Sequence, residues 1–284
     1  MGDVLAGFHA AWEFESDSVL IRYERGIRTP KLFQALGERR VPLAALQGVT
    51  LTSGKRGTVV LRAEPRPGAD PLMEAAAGQL AEGNDPYRLV MPAERETLAE
   101  YYADELSGLL TESGPAERHL VPAPEAPRHF KAYDAKASFD GTAVHFRWFW
   151  TGASSAKWKA GDQSFPVADL SGVEWRSPEV FEGHLRLLHR DAPAEQPAPP
   201  DQDPATVVFG LGYGPVHESL PFAAAVLAAV RERGAVAAVP AASPARRDPA
   251  DIAERIRHLG ELHRAGLVTD EEFSVKKAEL LAEL

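Results

Sequence analysis

Short runs of alternating hydrophobic and polar residues give way to helical spacing twice along the chain. Val19, Ile21 and Tyr23 fall on one face of an extended segment, and Val144, Phe146, Trp148 and Trp150 do the same further on, so both faces are expected to be core. Each half ends with one more strand-like run, from Tyr87 to Met91 and from Thr206 to Gly210, followed by a helix. In the first helix Leu98, Tyr102, Leu106 and Leu109 form the apolar stripe, and Glu94 and Glu96 favour its positive start. In the second the stripe is Phe222, Val226, Leu227 and Val230, with Arg231 and Arg233 at the negative end and Gly234 as the stop.

The halves also agree residue by residue. Trp12-Glu13-Phe14 through Ile21-Arg22-Tyr23 resembles Ala137-Ser138-Phe139 through Phe146-Arg147-Trp148. Val41-Pro42-Leu43-Ala44-Ala45-Leu46-Gln47-Gly48-Val49 matches Phe165-Pro166-Val167-Ala168-Asp169-Leu170-Ser171-Gly172-Val173 at nearly the same offset. Two anchors in the same order argue for duplication. The pattern predicts an α+β chain of two tandem units over 1–112 and 129–235, each several strands capped by a C-terminal helix. Prolines 115, 122, 124 and 127 mark a linker over 113–128, and Pro240 and Pro244 another over 236–248, both expected to be extended or flexible. Variable stretches precede the last strand of each unit. Glu64 to Pro86 should hold a short helix from Leu72 to Leu80, and Asp191 to Pro204 is too Pro-rich and polar to pack.

Residues 249–284 read as a helical hairpin. Asp248-Pro249 is a helix start, with Ile252, Ile256, Leu259 and Leu262 on one face until Gly266. Thr269-Asp270-Glu271-Glu272 is a capping box, Val268 and Phe273 form a hydrophobic staple, and Phe273, Leu280, Leu281 and Leu284 make the second apolar side. So short a hairpin cannot complete a core alone and should dock or self-associate. The segment from Leu259 to Phe273, continued by Lys277 and Leu280-Leu281, resembles the SHOCT (short C-terminal) domain family, which implies oligomerisation or interaction rather than chemistry. The repeated V/F-P-x-x-x-L-x-G-V pattern and the layout of the two units resemble an actinobacterial family of unknown function. That resemblance implies a PH-like barrel or sandwich in each unit.

Charge adds one feature. The chain carries −10 overall, yet nine Lys and Arg stand against two Glu between Leu20 and Arg62. In PH-like domains such loops present cations to phosphorylated headgroups, so the resemblance implies an anion or lipid-surface site at Arg28, Arg39, Arg40, Lys55 and Arg56. Aliphatic stems over strand edges and local salt bridges account for the same residues equally well. Lys157-Trp158-Lys159, a large ring between cations, is a second candidate for such a surface. Trp148, Trp150 and Trp175 are expected in the core.

Chemistry has little support. The chain has no cysteine, no phosphate loop, no H-E-x-x-H helix and no G-x-S-x-G elbow, and its nine histidines are scattered. Gly210-Leu211-Gly212-Tyr213-Gly214 precedes Pro215 and reads as a turn rather than a dinucleotide loop. No catalytic residue, metal ligand or cofactor is expected. The sequence therefore predicts a non-catalytic binding or scaffold protein, with self-association or a protein partner engaged through the hairpin. Peripheral binding to anionic lipid or phosphate-bearing ligands is the alternative, and an enzyme with an unrecognised site the second alternative. The acidic total opposes nucleic acid. Without cysteines, export signal or apolar span, a cytoplasmic location is expected, with the inner face of the membrane as the peripheral site.

Overall fold

A computed structural model describes residues 3–191, 198–238 and Phe273. The chain divides into two units, Met1–Arg233 and Gly234–Leu284. In the second, Phe273 is helical and partly buried. The other hairpin residues named above, Ile252, Ile256, Leu259, Leu262, Leu280 and Leu281, lie outside the described residues.

In the first unit the same order of seven strands, with a helix before the fourth and another after the seventh, occurs twice, and the first copy adds a further helix before its seventh strand. An antiparallel sheet in the order β1 (Asp3–Ala6), β2 (Ala10–Phe14), β3 (Ser18–Tyr23), β4 (Glu38–Pro42) is interrupted by α1 (Lys31–Leu36) before β4. A three-stranded sheet follows, β5 (Leu46–Ser53), β6 (Thr58–Pro65), β7 (Arg88–Pro92), with α2 (Pro71–Ala76) before β7 and α3 (Glu96–Leu109) after it. The second copy has β8 (Arg128–Lys131), β9 (Ala135–Phe139), β10 (Ala143–Trp148), α4 (Ser155–Ala160) and β11 (Gln163–Pro166). Then come β12 (Leu170–Arg176), β13 (His184–His189), β14 (Thr206–Val208) and α5 (Val216–Ala238). All four sheets are antiparallel and open.

The repeated sequence pattern builds the corner between the two sheets of each copy. Pro42 and Pro166 lack the N–H that would extend pairing, and each opens a 3-10 turn, Leu43–Ala45 and Val167–Asp169. Leu46 and Leu170 then start the next sheet, fully buried, with a bulge before Gly48 and Gly172. An arginine closes each corner. Arg66 donates its backbone N–H to Ala45 O and Nη1 to Ala44 O (both hydrogen bonds are in place in the first copy), and Arg190 donates its N–H to Asp169 O and Nε to Ala168 O in the second.

Two cores result, and they share an element. The first is built on Trp12, Ile21, Leu46, Leu61 and Tyr102, with Phe14 stacked on Tyr102 at 4.4 Å to seat α3. The second gathers Phe130, Phe146, Trp175, Phe222 and Val226, but also Leu72, Ala75 and Ala76 of α2 and Leu32 of α1. Thus α2 leaves the first copy to fill the second, while its Met73 packs on the first. Gln79 ties the junction to β12, its Nε2 donating to Trp175 O at 2.9 Å and its Oε1 accepting from Ser177 N at 3.0 Å.

Several expectations need correction. Trp150 is 80% exposed, because the chain turns after β10, where Phe149 N–H donates to Asp134 O. On α3 the buried stripe is Ala99, Tyr102 and Leu106, whereas Leu98 and Leu109 face solvent. Gly234 does not stop α5, which runs to Ala238. The short helix ends at Ala76 rather than Leu80, since Ala77 adopts a left-handed conformation. The Pro-rich stretch after α3 has no regular structure but is docked. Ala116 N–H reaches Pro67 O, Leu120 and Val121 N–H both reach Ala69 O, and Ala116 and Val121 are buried.

Candidate functional site

The cations singled out in the sequence meet different fates. Arg28, Lys55, Arg56 and Lys159 are exposed. Arg56 and Gly57 both take positive φ at the β5–β6 turn, which holds Lys55 and Arg56 at a hairpin tip. Arg40 pairs with Glu15 and donates to Ser18 Oγ at 3.0 Å. Arg39 and Lys157 are buried, so neither is a free surface cation.

Arg39 belongs to a network around the N-cap of α2. Asp70 Oδ1 accepts from Arg39 Nη2 at 2.7 Å and from Leu72 N at 2.9 Å, and Oδ2 accepts from Tyr87 OH at 2.8 Å. Burial pushes the Tyr87 hydroxyl well above its ordinary value. It pushes Tyr23 up as well, whose OH donates to Pro86 O at 2.9 Å. The Nη1 of Arg39 is buried without a hydrogen-bond partner. Such an orphan donor costs about 1–3 kcal/mol where no acceptor reaches it.

Lys157 is the interior face of α4. Its Nζ lies 2.6 Å from Asp134 Oδ2 and 5.1 Å from the Trp148 ring centre, and Val208 N–H donates to Asp134 Oδ1 at 3.0 Å. Burial drives Lys157 down and Asp134 up, each opposed by the other's charge. Trp158, the next residue, projects about 100° away around the helix axis and is 57% exposed. The sequence triplet therefore splits, one lysine structural and the Trp-Lys pair at the surface.

A cavity of about 720 Å³ lies where the copies meet. Lys31, Leu32 and Asn84 of the first copy line it together with the β12–β13 loop, the 209–213 turn and His217. Phe181 and Leu211 stand on its rim, 84% and 103% exposed. The turn reading of Gly210–Gly214 agrees with the geometry: Tyr213 N–H bonds Gly210 O, and Gly212 and Gly214 adopt positive φ. Burial lowers His217, Glu218 opposes and Lys31 adds to the lowering. Only the short apolar words Val180-Phe181 and Leu211 inside Gly- and Pro-rich loops could have flagged this rim from sequence. Among the described residues no His, Asp and Glu side chains gather as a metal-binding set.

The architecture defines a tandem duplication of one mixed α/β unit. The chain belongs to the family of a domain of unknown function (DUF4429), whose pattern matches residues 12–107 and 137–227, one match on each copy. The short C-terminal (SHOCT) domain matches residues 254–281. No curated protein matches the chain. No helix among the described residues is long and apolar enough to cross a membrane.

Proposed function

We propose that this protein is a non-catalytic scaffold, in which two PH-like repeats form one recognition body and the SHOCT region brings copies of the chain together. The order of four strands, three strands and a helix in both copies supports the PH-like reading. The observation that carries the binding role is the junction rim. Phe181 and Leu211 are large apolar side chains left in solvent on neighbouring loops of one cavity, as at protein-contact surfaces. Self-association would multiply weak contacts by proximity. Light scattering on the intact chain and on a version lacking 248–284 tests the assembly. A lower mass after deletion supports it, and an unchanged mass, or a monomeric intact chain, sinks it.

A second reading, attachment to an anionic membrane from the cytoplasmic side, is favoured by exposed Trp158 beside Lys159 and by the Lys55–Arg56 tip. Co-sedimentation with neutral and anionic vesicles separates the two. Equal pelleting with both, or none, removes the membrane reading.

A further inference from the structure

A bare sheet edge is a template for a strand of another chain, and folded proteins blunt their edges with charges, prolines or short length. In this chain β5 is the exception. Its eight residues, Leu46–Ser53, pair only with β6 and include neither a charge nor a proline. Every other edge among the described sheets carries one or both, except β14, which has only three residues. Gly54 N–H donates to Thr58 O at 2.7 Å, so by alternation Thr50 and Thr52 turn their backbone groups to β6 while Val49, Leu51 and Ser53 turn theirs outward. In the second copy the matching groups are covered, since Gln79 bonds Trp175 O and Ser177 N. In the first, nothing among the described residues covers the outward groups of Leu51 and Ser53, and Thr50, Thr52 and Ser53 are exposed.

The charges at the two ends of β5 point to the occupant. Lys55 and Arg56, exposed at the hairpin tip, have no ion pair among the described residues. At the other end the Glu64 side chain lies across Gly48, its Oε2 3.4 Å from the point where a Cβ on that glycine would stand. Glu64 likewise has no ion pair among the described residues. An antiparallel strand related to β5 by a two-fold axis brings each cationic tip beside the other chain's Gly48, where no side chain of β5 separates it from Glu64. A second copy therefore supplies both complementary charges at once. We infer that β5 is a self-association edge, through which two copies of this chain pair Val49, Leu51 and Ser53 about a two-fold axis and join their three-stranded sheets into one. This contact is made by the folded repeats and does not depend on assembly through the SHOCT region.

Because the chain has no cysteine, a single introduced thiol reports on the contact directly. Thr50→Cys, Leu51→Cys and Thr52→Cys are made one at a time in the full chain and oxidised mildly with copper–phenanthroline. The position nearest the axis should give disulfide-linked dimers, whereas Ser171→Cys, exposed on β12, should not. In the background that crosslinks, Glu64→Lys, or Lys55→Glu with Arg56→Glu, sets like charges together and should slow crosslinking roughly tenfold. An equimolar mixture of those two variants restores opposite charges at both ends and should restore the rate. The readout sits at β5 itself, so its failure and that of assembly through the SHOCT region are told apart. No crosslinking at any of the three positions, equal crosslinking at Ser171→Cys, or a mixture no faster than its components would overturn the pairing and leave the edge to a strand of another protein.

Discussion

Asp134 and Lys157 form a buried ion pair, 2.6 Å from Oδ2 to Nζ, at the place where the first copy has His9 and Phe33. The backbone fixes this correspondence. Phe8 N–H bonds Val90 O as Tyr133 N–H bonds Val208 O, and Glu24 N–H bonds His9 O as Phe149 N–H bonds Asp134 O. In the first copy Tyr23 stacks on Phe33 at 4.8 Å, and in the second Trp148 faces the Lys157 ammonium instead. The position of Lys157 is thus held by Phe33 in the first copy, where a ring stacks on Tyr23 in place of the cation that meets both Trp148 and Asp134.

Removing one partner of that pair should be costly, because the remaining charge is buried without compensation. Lys157→Met should lower the unfolding free energy by about 3–5 kcal/mol. The double variant with Asp134→Asn keeps an acceptor for Val208 N–H and should recover most of the loss. Urea denaturation of both single variants and the double supplies the cycle. A double variant as unstable as the sum of the singles would show that the charges do not act as a pair.

Ser219 links the second core to the junction loop. Its Oγ accepts from Trp175 Nε1 at 3.0 Å and lies 2.9 Å from Gly214 O. Ser219→Ala strands the indole N–H in the core and should cost about 1–3 kcal/mol, read by urea melts. The Trp175 emission, resolved by a Trp175→Phe control, should shift to the blue as the ring loses its polar partner.

Glu74 makes stability depend on acid. It sits on α2, bonds His119 at 2.9 Å, and pairs with Arg231 of α5, which also donates to Gly68 O at 3.2 Å. The His119 hydrogen bond, with the Arg231 charge behind it, lowers its carboxyl below the ordinary 4.5. Because the folded value is depressed, the contribution is complete above pH 4.5 and is lost as pH falls through the folded value. Glu74→Gln should flatten this part of the acid limb in melts followed by circular dichroism, and an acid limb as steep as that of the unsubstituted chain would remove Glu74 from this role.

What the sequence revealed divides along locality. The Pro42–Gly48 and Pro166–Gly172 corners were legible because proline, buried leucine and glycine act within one turn of chain. The alternation over Val19–Tyr23 was equally plain, since its partners follow at once in the neighbouring strands. Arg39 and Lys157 were not. Their partners lie 31 and 23 residues away, and Glu38-Arg39-Arg40 and Lys157-Trp158-Lys159 look like solvated runs until the fold buries one member of each. The Pro-rich segment misled for a related reason, because backbone bonds to Pro67 and Ala69 dock it and leave no periodic signature. Trp150 continued the alternation on paper, whereas the strand had already ended at Trp148.

The shared helix predicts how the copies unfold. Leu72 belongs by sequence to the first copy, yet its fully buried side chain is part of the second core, beside residues such as Trp175 and Phe222. Were the copies independent beads, Leu72→Ala would loosen only its own half. Because α2 fills the second core while Asp70, its N-cap, is held by Arg39 and Tyr87 of the first, the cavity left by Leu72→Ala should be felt on both sides. The cost should be about 2–5 kcal/mol. Hydrogen exchange provides the check: protection should fall together at Leu185 and Val207 in the second copy and at Leu61 and Leu89 in the first, with one cooperative transition in urea. Loss confined to either set, or two separated transitions, would mean that α2 is a passenger between two autonomous folds.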